Sequence, residues 1–373
     1  MLEAFKKLLH THRNFKNLGA IELKSAADIR NIPLTTREDL ATFRCQDCPE
    51  RPRWIRNTSG STGSESLFFF SKDAAASWGA RVTRSYRRLG VADMTLLNAI
   101  EDVAQGWFLL DVGSPNFYHA IGSGWSQELA IAKVKAVRPE AMMVPPPVAL
   151  QIMEAIADRS FLRILVTGGT VIPESFKRRL REVTGAEVKI LYASTEFGIL
   201  ACQAEDGAAP LQIMEDGVYV EVLGDNGETA DVGTGTLVVT DLGNHSSPII
   251  RYVTDDRVSI TRDGERRYME AYGRGGEFVN LAGSVTDKAH LLFLITKALG
   301  TDEFMLEIHC ASDTLDDFLR LKVGKNAPDT DDLQKQINEV YEVRIEIREL
   351  DGPIDRFGRG KAANFRDCRS KDD

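Results

Sequence analysis

The sequence RILVTGGTVIPESFKRRLREVTGAEVKILYASTEFG, Arg163 to Gly198, decides the fold class. Its segments RILV and EVKILY are short apolar runs of the kind found in buried strands. Between them, ESFKRRLREVTG predicts a helix that ends at Gly185, because glycine readily adopts the left-handed conformation that closes many helices. A strand, a helix and a second strand in this order indicate an α/β sheet with helices packed on it.

The same alternation continues on both sides of this unit. Upstream, TLLNAI and AMMV predict buried strands, and the prolines from Pro145 to Pro147 predict a rigid turn before the helix VALQIMEAIADR. A longer helix is expected over DAAASWGARVTRSYRRLG, with Asp73 as its N-cap and Gly90 at its end. Downstream, residues 217–273 alternate apolar and polar side chains between turn residues, which predicts β-hairpins.

After Gly273 the pattern changes to a strand, a helix and a strand, namely DEFMLEIHCA, TDDLQKQINEVYEV and VRIEIREL. The segment GRGGE, Gly273 to Glu277, contains three glycines and is either a hinge or an ordinary tight turn. We therefore expect a large N-terminal α/β domain over residues 1–273, with β-sheets and packed helices. A small, mobile α+β domain is expected over residues 274–373.

Composition narrows the class of protein. The chain has 373 residues, of which 43% are hydrophobic and 27% charged, as in soluble globular proteins. A net charge of −9 argues against a nucleic-acid partner. There is no apolar run long enough to span a membrane and no signal peptide, so we expect a cytoplasmic protein. Among the five cysteines, Cys45 and Cys48 form the one Cys-x-x-Cys pair, and two unlinked thiols are expected rather than a zinc site.

A polar loop stands out in NTSGSTGSESLFFF, Asn57 to Phe70. Residues 58–64 are only threonine, serine and glycine, a composition typical either of a flexible linker or of a loop that binds phosphate. Strand-like, aromatic segments flank it on both sides, which favours the phosphate-binding interpretation. No Gly-Lys-Ser/Thr sequence ends the loop, so it is not a Walker A motif.

Charged residues follow other predicted strands. In LYASTEFG, Glu196 comes directly after a buried strand, where a carboxylate can hold Mg²⁺ beside nucleotide phosphates. In RYVTDD, Asp255 and Asp256 at the end of another strand could accept hydrogen bonds from ribose hydroxyls. The glycine-rich segments YGRGGE and GRGKAANFRD offer the positive charges of Arg274 and Lys361.

The order of these motifs, from IPLTTREDL to Lys361, resembles the adenylate-forming superfamily of acyl- and aryl-CoA ligases. More closely, it is similar to the phenylacetate–CoA ligase branch, whose compact members include indoleacetate–lysine ligase. Each motif is weak alone, but five in the correct order over nearly the whole chain are specific. The resemblance implies activation of a small, aromatic carboxylic acid by ATP and Mg²⁺. An acyl-adenylate would form, and the acyl group would then pass to a second nucleophile while AMP leaves.

The resemblance also implies roles for individual residues. The ATP phosphates would lie in a loop made of Thr58, Ser59, Gly60, Ser61, Thr62 and Gly63. The rest of the nucleotide site would comprise Tyr192, Ala193, Ser194, Asp256 and Arg274. The catalytic residues would be Thr195 at the α-phosphate, Glu196 on Mg²⁺ and Lys361 bridging the attacking carboxylate and the α-phosphate. A pocket for the acid would be lined by His119, Gly122, Ser123, Gly124, Trp125, Thr167, Gly168 and Gly169.

Several positions depart from the family pattern. Ser64 and Glu65 stand where the phosphate loop usually ends in lysine and proline, and Ala193 and Asp255 each replace a usual glycine. The principal charged positions are nonetheless all present.

The acceptor of the acyl group stays open between coenzyme A, a carrier-protein thiol and an amine. A carrier would leave a basic docking patch for an acidic partner, whereas an amine needs only a small polar pocket. A non-catalytic nucleotide-binding protein is a further alternative. The oligomeric state is also open, a homodimer being one possibility.

Overall fold

The computed structural model describes most of the chain. The described residues are 1–57, 67–98, 117–119, 127–168, 172, 174–203, 210–274, 278–281, 284–299, 304–310, 317–324, 333, 343–350 and 365–369. The chain divides into two compact units, one of Met1–Gly169 with Val183–Glu270 and the other of Thr170–Glu182 with Ala271–Asp373. The mixed α/β class is confirmed. The roles assigned to residues 1–273 and 274–373 stay a prediction.

The first unit contains a small hairpin and a large sheet. The hairpin pairs β1 (Trp54–Asn57) with β2 (Leu67–Phe70). The strands of the large sheet, numbered along the chain, are β3 (Leu96–Asn98), β4 (Phe117–His119), β5 (Ala141–Met143), β6 (Ile164–Gly168), β7 (Glu187–Ser194), β8 (Gly198–Cys202), β9 (Leu211–Ile213), β10 (Val218–Leu223), β11 (Thr229–Ala230), β12 (Gly233–Asp241), β13 (Tyr252–Asp263) and β14 (Arg266–Arg274). Their spatial order is β11-β10-β12-β13-β14-β9-β8-β7-β6-β5-β3-β4.

This sheet has a parallel half and an antiparallel half. The strands β4, β3, β5, β6 and β7 pair in parallel. The apolar sequences of β5 and β6 are typical of strands buried on both faces, whereas β4 was not predicted. From β7 to β8 and β9 the pairing is antiparallel, and so is that of β10 with β11 and β12 and of β12 with β13. The change of direction occurs at β7, directly before Glu196.

The described α-helices belong to both units. They are α1 (Leu2–Thr11), α2 (Arg37–Thr42), α3 (Lys72–Leu89), α4 (Gln127–Val137), α5 (Pro146–Glu154), α6 (Glu174–Thr184) and α7 (Lys288–Leu299). The strand–helix–strand unit of Arg163 to Gly198 is confirmed as β6, α6 and β7, with Gly185 at a φ of 70°. No helix in the described ranges combines the length and the apolar character that a membrane span requires.

Two helix starts differ from the prediction. Ser71, not Asp73, caps α3, because its Oγ accepts a hydrogen bond from the Ala74 N–H at 3.2 Å. The proline run does not form a turn ahead of α5. Pro146 is instead the first helical residue, a position where the missing N–H of proline costs nothing. Gly90 ends α3 as expected, with a φ of 76°.

A buried ion pair fixes α3 against the antiparallel half of the sheet. Both terminal nitrogens of Arg81 lie 2.8 Å from the carboxylate oxygens of Asp241, and both side chains are almost fully buried. Arg81 also donates to the carbonyl oxygens of Gly217 and Phe197 at 3.2 and 3.0 Å. Since Phe197 follows Glu196 directly, this pair also supports the turn that carries Glu196.

The second unit contains a hairpin and a four-stranded sheet. The hairpin pairs β15 (Phe278–Leu281) with β16 (Ser284–Asp287). The sheet contains β17 (Phe304–Cys310), β18 (Asp317–Val323), β19 (Arg344–Glu349) and β20 (Phe365–Asp367), in the order β19-β18-β17-β20. Of these, β17 and β19 are the strands predicted from DEFMLEIHCA and VRIEIREL, whereas β18 and β20 were not predicted. The helix predicted from TDDLQKQINEVYEV falls almost entirely outside the described residues.

Candidate functional site

The carboxyl ends of the parallel strands bring several predicted site residues to one edge of the sheet. His119, Gly168 and Ser194 are the last residues of β4, β6 and β7. Parallel strands end on the same side, and this is the side where α/β sheets bind ligands. The topology therefore places the residues predicted for the acid and those predicted for the nucleotide along one edge.

The predicted nucleotide residues Tyr192 and Asp256 are in direct contact. The Tyr192 hydroxyl donates a hydrogen bond to Oδ2 of Asp256. Asp256 lies near the start of β13, whereas the sequence predicted a strand end. The tyrosine and the aspartate, 64 residues apart in the chain, belong to one cluster.

An irregularity in the sheet explains this position. Thr236 pairs with Arg257 and Val238 pairs with Val253, so three residues of β13 face the single Leu237 of β12. The Thr254 hydroxyl donates to the Leu237 carbonyl at 3.0 Å and accepts from the Asp256 N–H at 3.1 Å. Such bulges re-aim side chains and are frequent next to active sites.

The turn between β7 and β8 holds Glu196. The Ser194 hydroxyl donates to Oε2 of Glu196, and the Glu196 N–H donates back to Ser194 Oγ at 3.1 Å. The Glu196 side chain is 11% exposed, so the carboxylate is largely shielded but still reachable. These two hydrogen bonds therefore hold the side chains of Ser194 and Glu196 in place.

Arg37 belongs to the same cluster and was not predicted from the sequence. Its Nη2 lies 3.4 Å from Oδ2 of Asp255 and 3.9 Å from Oε1 of Glu196. It is the first residue of α2, whose N-terminus is fixed by Thr36 through a reciprocal capping box with Asp39. Arg37 therefore joins the Glu196 turn to the aspartates of β13. The only sequence signal was its place within IPLTTREDL.

The segment before α2 is bound to β13. The Thr35 N–H donates to the Arg251 carbonyl at 3.0 Å, and the Val253 N–H donates to the Thr35 carbonyl at 2.9 Å. The side chain of Arg37 is also hydrogen-bonded to Tyr252. Burial, reinforced by the charge of Glu196, raises the pKa of Tyr252 to about 12, so this phenol stays protonated at neutral pH. Burial opposes the charge of Arg37, but the hydrogen bond with Tyr252, with smaller effects of Asp255 and Glu196, outweighs burial and raises the pKa of its guanidinium.

The hairpin β1–β2 frames the predicted phosphate loop. Asn57 pairs with Leu67, so the residues on either side of the segment predicted to bind phosphate are held next to each other. Side chains hold β2 in place. The Phe69 N–H donates to Ser247 Oγ at 2.7 Å, and the Ser71 N–H donates to Ser246 Oγ at 2.8 Å.

Arg56 ties this hairpin to the Glu196 turn and was also missed. Its Nη1 donates to the Thr195 carbonyl at 3.0 Å, and its guanidinium lies 4.5 Å from the centre of the Trp78 ring. The side chain is only 2% exposed. The signal was an arginine directly before the polar loop in the otherwise aromatic segment RWIRN.

The residues predicted for the acid pocket are described only in part. Thr167 is fully buried, and its hydroxyl donates to the Val144 carbonyl at 2.7 Å. A side chain at Gly168 would place its Cβ 2.2 Å from the Leu191 carbonyl oxygen, so the close approach of β6 and β7 requires glycine. For His119 and Arg274 the backbone alone is described, at the ends of β4 and β14.

The remaining predicted site residues lie outside the described residues. They are Thr58, Ser59, Gly60, Ser61, Thr62, Gly63, Gly122, Ser123, Gly124, Trp125, Gly169 and Lys361. Their roles stay predictions.

Comparison with protein families gives one match. The model of the AMP-binding enzyme family matches residues 45–243, which include the hairpin β1–β2 and the Tyr192–Glu196 motif. The chain belongs to the AMP-binding enzyme family. The adenylate-forming superfamily expected from the sequence is thereby confirmed. The narrower phenylacetate–CoA ligase branch stays a prediction for this AMP-binding enzyme.

Solved structures of ligases share the fold. A 2-hydroxyisobutyryl-CoA ligase in the postadenylation state has a TM-score of 0.72 and 18% identity, over 98% of this chain and 89% of that chain. The anthranilate CoA ligase AuaEII in complex with anthranoyl-AMP has a TM-score of 0.60 and 16% identity, over 84% and 66%. The amide bond synthetase McbA from Marinactinospora thermotolerans has a TM-score of 0.57 and 16% identity, over 80% and 64%. Comparison with curated protein sequences gives no match.

Proposed function

We propose that this chain activates a small, aromatic carboxylic acid with ATP and transfers the acyl group to a thiol. The observation that carries the proposal is the convergence of three separate segments in the first unit. The Tyr192–Asp256 pair, the Ser194–Glu196 pair and Arg37 form one connected cluster. The family match and the ligase fold support the same assignment.

The cluster suits the ribose and adenine of a nucleotide. A carboxylate has about four acceptor sites, so Asp256 can hold ribose hydroxyls while it also accepts from Tyr192. The Tyr192 ring would then lie beside the adenine. In the proposal, the bulge in β13 would turn Asp256 toward the ribose, because Thr254 binds the backbone that would otherwise pair with β12.

The donor set at Glu196 fits Mg²⁺. Magnesium prefers oxygen ligands and is usually bound by one or two carboxylates together with substrate phosphates. Glu196 supplies one carboxylate, and the Ser194 hydroxyl beside it offers another hard oxygen. When bound, the ion would neutralise phosphate charge. The residues of the chain do the remaining work of binding and orientation.

The adenylation step is balanced without a further reactant. A carboxylate oxygen of the acid attacks the α-phosphorus, and the bond from that phosphorus to the bridging oxygen breaks. Pyrophosphate leaves with the electron pair, and the acyl-adenylate remains. Two anions must meet, so the rate depends on positioning and on positive charge held in place. In the proposal, Lys361 supplies that charge between the two reacting groups.

Arg37 can take over a charge that the phosphate loop lacks. The loop has Ser64 where the family usually has lysine. The Arg37 guanidinium lies within 4 Å of the predicted Mg²⁺ ligand and is held by the capped start of α2. In this proposal, Arg37 contacts the leaving phosphates and Lys361 the α-phosphate.

An amine is a second candidate acceptor, because the amide bond synthetase McbA is among the structures that share the fold. Both versions begin with the same adenylate. They differ only in the nucleophile that displaces AMP, so the first experiment addresses the shared step.

The shared step is measured by ATP–pyrophosphate exchange with a panel of aryl and short-chain acids. The wild type should exchange with at least one aromatic acid. Lys361→Ala should lose about 100- to 1000-fold, the usual effect of removing one electrostatic contact to the transition state. The exposed Lys24→Ala is the matched control and should exchange like the wild type. Exchange with no acid, or unchanged exchange in Lys361→Ala, would overturn the proposal.

Product analysis assigns the acceptor. Productive acids are offered with coenzyme A, a phosphopantetheinylated carrier protein and simple amines, and the products are weighed by mass spectrometry. A thioester product supports the proposal, whereas an amide product supports the second candidate.

A further inference from the structure

The sheet of the second unit has two faces of opposite character. Leu306, Leu319 and Leu321 are fully buried on one face, in a cluster with Leu291 and Ile295 of α7. Because side chains alternate along a strand, the intervening residues form the other face. That second face carries mainly charged side chains.

Among the described residues of the sheet, five cations lie on this second face. The register pairs Arg320 with Glu307 and Glu346, Lys322 with Arg348, and Glu307 with Arg366, so these side chains share one side of the sheet. Arg344 lies beside Phe318 on the same side. We call the set of Arg320, Lys322, Arg344, Arg348 and Arg366 the basic face.

The basic face is accessible and only partly neutralised. The side chains of Arg344 and Arg348 are 63% and 62% exposed. Glu346 lies within 3.2 to 3.6 Å of Arg320, Arg344 and Arg348, so one carboxylate is shared by three arginines. Glu307 pairs with Lys322 at 3.1 Å. Counted over the described residues of this face, five cations stand against two carboxylates, which gives an excess of positive charge there although the whole chain has a net charge of −9.

A metal ion is the less favourable ligand for this surface. Glu307, His309 and Cys368 place one ligand atom each within 4.8 Å of one another, a donor set that zinc could accept. The Arg320 Nη1 lies 3.4 Å from His309 Nε2, however, and Lys322 holds Glu307 Oε1. A divalent cation would therefore be repelled by the surrounding charges, while an anion would be attracted.

The spread of the cations indicates a broad partner. Strands lie about 4.8 Å apart, so Arg348 on β19 and Arg366 on β20 are separated by about 14 Å across the sheet. Arg344 and Arg348 lie about 13 Å apart along β19. A single diphosphate would need cations gathered at one point. Carboxylates at every fourth residue of a helix are spaced by about 6 Å, so three of them span about 12 Å and match this surface.

We propose that the basic face docks an acidic carrier protein that brings the acceptor thiol. The inference rests on the proposed function and names its acceptor. Four of the five cations are arginines, whose planar guanidinium groups bind carboxylates through two parallel hydrogen bonds. Complementary charge also speeds the encounter of two proteins.

The test separates docking from adenylation. Arg344→Glu and Arg348→Glu are combined, and the matched control combines Lys7→Glu with Lys24→Glu, two exposed lysines of the first unit. Binding of a fluorescently labelled, phosphopantetheinylated acidic acyl carrier protein is followed by anisotropy at low salt. Acyl loading onto that carrier and ATP–pyrophosphate exchange are measured in parallel. Circular dichroism checks that each variant is folded.

The doubly reversed variant should bind the carrier at least about tenfold more weakly, with exchange unchanged. Wild-type binding should weaken as salt rises, and the control should behave like the wild type. In addition, Glu346→Gln should bind a few-fold more tightly, because it removes the carboxylate that neutralises three arginines. This gain cannot come from misfolding.

Three results would overturn the inference. In the first, the doubly reversed variant binds the carrier as well as the wild type does. In the second, the control variant loses as much carrier binding as the doubly reversed variant. In the third, the doubly reversed variant loses acyl loading onto coenzyme A but not onto the carrier. The anisotropy measurement needs no acid substrate. A wild type that binds the carrier but exchanges with no acid would therefore refute the proposed function and leave the docking surface standing.

Discussion

Two arginines of the first unit, Arg81 and Arg37, each meet carboxylates but in different ways. Arg81 holds both oxygens of Asp241 at 2.8 Å, and both side chains are no more than 2% exposed. Arg37 lies 3.4 and 3.9 Å from Asp255 and Glu196, and 17% of its side chain is exposed. The first pair is shielded from solvent by the surrounding protein, whereas the second has longer distances and is accessible to solvent.

This difference indicates which ion pair stabilises the fold and which one can take part in chemistry. A buried, bidentate pair leaves no capacity for a ligand, and breaking it exposes an uncompensated charge. A looser, partly exposed pair contributes little to folding but can exchange its partners for phosphate and metal. Arg81 should therefore matter for stability, and Arg37 for chemistry.

The largest effect is expected for Asp241→Ala. Arg81 would be left buried without its carboxylate, and the N–H groups of Gly243 and Asn244, which donate to Asp241 at 2.9 and 3.2 Å, would lose their acceptor. The free energy of unfolding should fall by about 3–5 kcal/mol, measured by urea denaturation. Asp255→Ala, the corresponding change at Arg37, should cost less than about 1 kcal/mol. Equal losses in the two variants would remove the distinction between the pairs.

The reverse pattern is expected for Arg37→Ala in ATP–pyrophosphate exchange. Removing a cation beside the predicted phosphate site should lower the rate by about 10- to 100-fold, with the free energy of unfolding almost unchanged. Arg37→Lys keeps the charge and should recover part of the rate. A variant that exchanges like the wild type would show that Arg37 serves the fold alone.

His12 is buried like Arg81, and we expect it to affect the stability of the fold and not the chemistry. Burial, with a smaller effect of His245, lowers the pKa of His12 to about 4, against an ordinary value of 6.5. Above pH 6.5 both the folded and unfolded states hold a neutral imidazole, so the full stability is present. As the pH falls from 6.5 toward 4, the unfolded state binds the proton first and stability is lost.

Between pH 7 and pH 5 this linkage should cost about 2 kcal/mol. The measurement is urea denaturation at both pH values, in the wild type and in His12→Gln. The variant cannot titrate at this position, so its stability should fall less over the same interval. Identical pH dependence in the two proteins would mean that His12 is not held neutral.

The smallest effect is expected for Asp255→Asn in exchange. Asp255 is 47% exposed and pairs with Arg37 at 3.4 Å. In the proposal Asp256 holds the ribose, so Asp255 would act on exchange only through the position of the arginine. The rate should change by only a few-fold. Asp256→Asn should have a much larger effect, and a reversal of this order would mean that the two aspartates have been assigned the wrong roles.

Local signals predicted much of the fold. The apolar runs of β6 and β7, the helix stop at Gly185 and the polar loop closed between β1 and β2 follow from neighbouring residues alone. The predicted helix starts were less accurate, because another residue that can begin a helix lies within two positions of Ser71 and of Pro146.

The members of the candidate cluster that belong to family motifs were named from the sequence, and their roles stay predictions, whereas members that are brought in by distant contacts were missed. Arg56 meets Thr195 across 139 residues, and no local pattern indicates that contact. Arg37 meets Asp255 for the same reason, through Thr35 and its pairing with β13. The bulge that re-aims Asp256 depends on the register of two strands, which the composition of neither strand specifies.

We propose that the Tyr192–Asp256 and Ser194–Glu196 pairs together form a nucleotide site. Calorimetric titration with α,β-methylene-ATP and Mg²⁺ tests it most directly, because this analogue binds without reacting. We expect the wild type to bind one equivalent of the analogue. Asp256→Ala should bind it at least about tenfold more weakly, because the variant lacks one charged hydrogen-bond acceptor. Asp225→Ala, at an exposed aspartate of the same unit, should bind like the wild type. Equal affinity of Asp256→Ala and the wild type for the analogue would show that Asp256 is not part of a nucleotide site.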